Sequence, residues 1–224
     1  MEQNVTLADF KEALLGACED GAQYALIGGL AVGAWADYFG VFDWPGETIY
    51  SKDIDLRGDK AASTLVKERL KKQGHRIAVT VNVRRKEPPG LGMNYVLQVD
   101  MAGIGRVSVE VLEKMPLVDS PDLPPRGFVV VTHGIPLLDP LSLMIGKLHA
   151  YTSRRPGQSD NDAKHLELLR RLLPEFMQEA CERGLVEDIR ERAPELLEIL
   201  ETWKTPFSAE ELLAFRAELQ KRAA

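Results

Sequence analysis

Cysteine is almost missing from this sequence: Cys18 and Cys181 are the only two in 224 residues. Far apart and without paired spacing, they argue against a disulfide or zinc framework and suit a reducing compartment. Histidine is as sparse. His75, His133, His149 and His165 are scattered, and no Ser/His/Asp or Cys/His arrangement has a recognisable spacing. No apolar run reaches the ~18 residues that a membrane span requires. The polar start, Met1-Glu2-Gln3-Asn4, lacks the basic and apolar regions of a signal peptide, so a soluble, cytoplasmic protein is expected. Positive charge is also short, with 28 Lys and Arg against 34 Asp and Glu and a net charge of −6. That balance disfavours a surface built throughout for nucleic acid. Both common phosphate-binding fingerprints are absent: no Gly-x-Gly-x-x-Gly follows a strand, and no Gly-Lys-Ser/Thr occurs.

What is present suffices for a core. Hydrophobic residues make up 45% of the chain, ordinary for one large domain or two small ones. Thr6 can cap a helix running to about Asp20, and Tyr24-Ala25-Leu26-Ile27 reads as a short buried strand. Gly28-Gly29 follows at once, then an apolar helix from Leu30 to Tyr38. Glycines there permit a tight turn and close approach of another group to the backbone. The amides at the next helix N-terminus suit a phosphate. Residues 39–51 read as a loop with Phe42, Trp44 and Tyr50, either a surface insertion or a substrate-facing flap.

Lys52-Asp53-Ile54-Asp55-Leu56 is the most informative stretch. On a strand, Asp53 and Asp55 share one face while Ile54 and Leu56 point into the core. Like charges so close repel. The pair is therefore either a solvated strand end or the holder of a divalent cation.

A helix is predicted from about Lys60 to Gln73, and Ile77, Val79, Val81 and Val83 alternate as a half-buried strand within 75–85. Residues 95–101 and 107–112 predict an antiparallel hairpin. Glu110 stands in mid-strand among apolar neighbours, and Asp100 is its rival as a third carboxylate. Phe128 to Thr132 reads as the last strand. Asp139-Pro140 then opens a helical part with expected segments 140–153, 161–173, 175–183, 185–203 and 208–222. The fold class expected is α+β: a mixed, mostly antiparallel sheet with flanking helices over 1–138, then an all-helical part over 139–224.

Leu26-Ile27-Gly28-Gly29-Leu30-Ala31, Ser51-Lys52-Asp53-Ile54-Asp55-Leu56 and the later Glu110 together resemble the nucleotidyltransferase superfamily that includes the polymerase-beta-like enzymes. Leu143 to Tyr151, with Arg154 or Arg155 and Asp162 after it, looks like the segment following the sheet in bacterial members. Those include abortive-infection toxin-type and small antibiotic-modifying enzymes. Glu110 stands where Asp is commoner.

The resemblance implies Mg²⁺-dependent (or Mn²⁺-dependent) transfer of an NMP from an NTP such as ATP to a hydroxyl, with release of pyrophosphate. Asp53, Asp55 and Glu110 would be the catalytic and metal-holding carboxylates. Gly28, Gly29, Lys52 and Lys147 would meet the nucleotide. The acceptor could be a tRNA end, a protein side chain or a small molecule, and a toxin-type member would have an antitoxin partner. The alternative is a catalytically degenerate nucleotidyltransferase fold that binds a nucleotide or a protein.

Overall fold

The computed structural model describes residues 5–14, 24–43, 49–84, 93–101, 103–115, 118–119, 129–132, 134–153 and 160–223. Among them are seven helices and seven strands, arranged as two compact units, Met1–Ala34 with Thr48–Leu138 and Trp35–Glu47 with Asp139–Ala224. No helix among the described residues is long and apolar enough to cross a membrane.

The first unit is built on one mixed sheet. Its strands are β1 (Tyr24–Ile27), β2 (Asp53–Gly58), β3 (Arg76–Arg84), β4 (Met93–Met101), β5 (Gly105–Leu112), β6 (Val129–Thr132) and β7 (Ile135–Leu138). They lie in the order β3-β4-β5-β2-β1-β7-β6. β1 with β7 and β2 with β5 run parallel, and the remaining neighbours are antiparallel. The alternating sequences of the central strands sort their side chains. Ile54, Leu56, Leu97, Val99, Val107 and Val109 are buried on one face. α1 (Leu7–Leu14) and α3 (Lys60–Lys72) belong to this unit, and α3 contributes Val66 and Leu70 to its core. Asp59 caps α3 by accepting from the Ala62 amide at 2.9 Å.

Three sequence expectations for this unit change. Gly28 and Gly29 are not a separate turn but the first residues of α2 (Gly28–Tyr38). β7 was not foreseen: its four residues include Pro136, which argues against a strand on propensity alone. Val79 and Val81 do not lie on a half-buried strand face; they are 45% and 44% exposed, because β3 is the edge of the sheet. The expected first helix is described only to Leu14, and the rest of it lies outside the described residues. So does Trp44 of the 39–51 loop, in which Tyr50 is exposed.

The second unit contains the last turn of α2, then α4 (Pro140–Ser153), α5 (Asp160–Glu182), α6 (Val186–Thr202) and α7 (Ala209–Ala223). α4 starts where expected: Asp139 Oδ1 accepts from the Ser142 amide at 2.8 Å, with Pro140 at the first helical position. α5 is one helix rather than two. Pro174 removes the amide that would bond the carbonyl of Arg170, yet buried Leu172, Leu173, Phe176 and Met177 hold helical geometry on both sides. Trp35 stacks on Phe39 and meets Phe176 edge-on. The buried Arg192 guanidinium donates to Ser142 Oγ and to Glu195, joining α6 to the first turn of α4. Ser208 and Glu211 close the expected capping box of α7.

Candidate active site

β2 forms because Ile54 and Leu56 are fully buried on the core side, leaving Asp53 and Asp55 half-buried on the other. Ser51 donates from its hydroxyl to Asp53 Oδ1 at 3.1 Å. The neighbouring strands decide what surrounds the pair. In the parallel register with β5, Asp53 lies opposite Ser108 and Asp55 opposite Glu110. Register partners point to the same face, and adjacent strands are ~4.8 Å apart. Glu110 therefore stands beside Asp55 on the carboxylate face.

Asp100 does not. It lies on β4, which is separated from β2 by β5, and it accepts from Arg106 Nε at 2.8 Å and from Nη2 at 3.3 Å. Those hydrogen bonds hold its carboxyl below the ordinary range.

On the other side of β2, Ile27 of β1 lies opposite Asp55, so Gly28 follows directly beside the carboxylate. Gly28 has φ +72°, and a Cβ built there would sit 2.3 Å from Asp55 Oδ2. Two independent conditions thus require glycine: a left-handed backbone and contact with a carboxylate. The first amides of α2 have no partner within the helix, and its dipole favours negative charge there. No acidic residue occupies that first turn.

The cations expected at the nucleotide are placed differently. Lys52 is exposed immediately before β2. Lys147 is on α4 in the helical unit, where its Nζ lies 3.2 Å from Oδ1 of Asp162. Asp162 is buried, and the ammonium is largely so.

Whether these residues suit a divalent cation is decided by donor type and convergence. Carboxylate oxygens are the hard ligands that Mg²⁺ and Mn²⁺ take. Asp53, Asp55 and Glu110 share a face and adjoining register positions. Yet among the described residues no three acidic, histidine or cysteine side chains converge as an ion-holding group. The shared face and hard oxygen donors of Asp53, Asp55 and Glu110 fit such a cation, and these are the residues that would hold it.

An ion pair and a hydrogen-bonded carboxylate were missed in the sequence. Arg57, the next residue on the carboxylate side of β2, is buried and paired at 3.1 Å with buried Asp119, which also accepts from the Met115 amide at 2.7 Å. Glu113 accepts from the Met93 amide at 2.8 Å and from the Tyr95 hydroxyl at 2.7 Å. That hydrogen bond, with burial, pushes Tyr95 up to about 12. The two-residue spacing of Arg57 from Asp55 and of Asp55 from Asp53 was a signal for the first of these; nothing local marked Asp119.

No protein-family model matches the chain, and no curated protein matches it. Similar solved structures include the solution structure of the antibiotic-resistance factor ANT(2'')-Ia, at 12% identity and a TM-score of 0.46, covering 96% of this chain and 91% of that one. A crystal structure of ANT(2'')-Ia in complex with adenylyl-2''-tobramycin is similar at 14% identity and a TM-score of 0.46, covering 97% and 98%. At that similarity the likeness assigns neither chemistry nor substrate to this chain.

Proposed function

We propose that the chain is a divalent-metal-dependent nucleotidyltransferase, moving an NMP from an NTP onto a hydroxyl and releasing pyrophosphate. One observation carries this reading: the register of β1, β2 and β5 sets Gly28, Asp55 and Glu110 side by side, with Asp53 on the same face. A Mg²⁺ or Mn²⁺ ion held by Asp53, Asp55 and Glu110 would offset the charge of the phosphates and of the departing pyrophosphate. The amides of Gly28 and Gly29 receive phosphate oxygens at the start of α2. Lys52, immediately before β2, is the proposed cationic contact to the nucleotide. Glu110 accepts the proton of the attacking hydroxyl, and Ser51 orients Asp53.

The test is incubation with each labelled NTP and Mg²⁺, with tRNA, protein and small-molecule acceptors in parallel. The expected result is metal-dependent label transfer that disappears in Asp53→Asn/Asp55→Asn without loss of the fold. Undiminished turnover in that double variant overturns the assignment.

The alternative is a module that binds a nucleotide or protein without turnover. A Mg²⁺-dependent thermal shift with an NTP, unaccompanied by pyrophosphate release, selects it.

A further inference from the structure

Resting on the nucleotidyl-transfer reading, we propose that the acceptor lies over β5, β4 and β3 and presents an uncharged, largely apolar body to Val96, Val81 and Val79.

The side from which the acceptor comes follows from strand order. β2 has β1 on one side and β5 on the other. Gly28, the proposed phosphate cradle, is on the β1 side of Asp55. In an in-line displacement the attacking and leaving oxygens lie on opposite sides of the phosphorus. The acceptor oxygen bonds to the α-phosphorus as the bond to the bridging oxygen breaks. Pyrophosphate leaves with that electron pair, and the hydroxyl proton passes to Glu110. With pyrophosphate departing toward β1, the hydroxyl approaches from β5.

The chemistry of that side is read along two rows of register partners. Asp55, Glu110, Val96 and Val81 form one row, and Asp53, Ser108, Gln98 and Val79 form the next. Two strand spacings, ~10 Å, separate Glu110 from Val81, about the reach of a small molecule. Beyond Glu110 these positions hold no charge. Gln98 donates to Ser108 Oγ at 3.1 Å, a neutral polar pair next to Asp53. Val79 and Val81 are branched apolar side chains, 45% and 44% exposed, in line with the carboxylates. Asp100, on the same face of β4, is taken up by Arg106. Beyond Glu110 and Asp53 the two rows offer a polycationic acceptor no acidic side chain, whereas an alcohol with an apolar body covers the valines while its hydroxyl reaches Glu110.

The experiment uses the full chain with Mg²⁺ and the NTP it consumes. Uncharged aromatic and aliphatic alcohols are compared with alcohols carrying several amines. Transfer to the uncharged set is expected, with KM raised about tenfold in Val81→Asp and less in the near-isosteric Val81→Thr. The thermal shift produced by Mg²⁺ and NTP stays unchanged in both variants. Preference for the polyamine alcohols, or an unaltered KM in Val81→Asp, overturns the acceptor assignment while leaving metal-dependent turnover standing. A dimer dispersed by Val81→Asp with transfer unchanged also overturns it, because a second copy then covers the strip. Absence of metal-dependent turnover with every acceptor removes the transfer reading itself, and this inference with it.

Discussion

Replacing Gly28 by alanine separates two effects that coincide at this residue. The first is backbone strain: φ is +72°, and a non-glycine residue in a sparsely populated backbone region loses of order 1–3 kcal/mol. The second is contact, since the new Cβ would lie 2.3 Å from Asp55 Oδ2 and at 3.0 Å from Asp55 Cβ. Gly74 supplies the reference. It has φ +87° with nothing within 4 Å of an added Cβ, so Gly74→Ala measures strain alone. Urea denaturation followed by circular dichroism should show a larger loss for Gly28→Ala than for Gly74→Ala. In an Asp55→Ala background most of the excess should go, because the carboxylate is removed while the 3.0 Å approach to the Cβ remains beside the strain. Activity should fall further than stability, because a misplacement of ~1 Å at reacting groups reduces rate about a hundredfold. Equal losses at Gly28 and Gly74, unchanged by Asp55→Ala, refute the proposed contact.

Arg57→Leu should lose about 3–5 kcal/mol, since it leaves buried Asp119 without its cation. Adding Asp119→Asn should restore part of that loss, as measured in the same urea titration. Lys147→Met should lose stability for the same reason, recovered in part by Asp162→Asn. Tyr95 keeps its proton beyond its ordinary value of 10.0, up to about 12. Its raised pKa gives stability that is full below pH 10.0 and lost as pH rises toward about 12. Alkaline denaturation should therefore flatten over that window in Tyr95→Phe, and an identical slope in both proteins contradicts the account.

Much of the sheet could be read from periodicity. Asp53, Asp55 and Glu110 declared their faces because Ile54, Leu56, Val109 and Val111 alternate with them and are buried. Their proximity could not be read that way, since it depends on β5 returning parallel to β2. Alternation equally placed Val79 and Val81 on one face, but not at an edge, where no neighbour covers them. β7 was illegible because Pro136 opposes a strand locally, while parallel pairing with β1 overrides it. Pro174 was misread as a break because propensity is local, whereas buried side chains on both sides of it support one helix. Lys147 carried no sign of Asp162, which lies fifteen residues on.

The parallel pairings also set an order in which the sheet can assemble. Gly28, Asp55 and Glu110 come together only once β5 has joined β2, across more than fifty residues of chain. β1 then has β2 on one side and waits for β7, more than a hundred residues later, to cover the other. Contacts this distant in sequence form slowly, since the intervening loop must close before they stabilise anything. During synthesis the buried strand Tyr24–Ile27 therefore keeps an open edge until Leu138 has emerged, and that interval is when the chain is most exposed to wrong pairing.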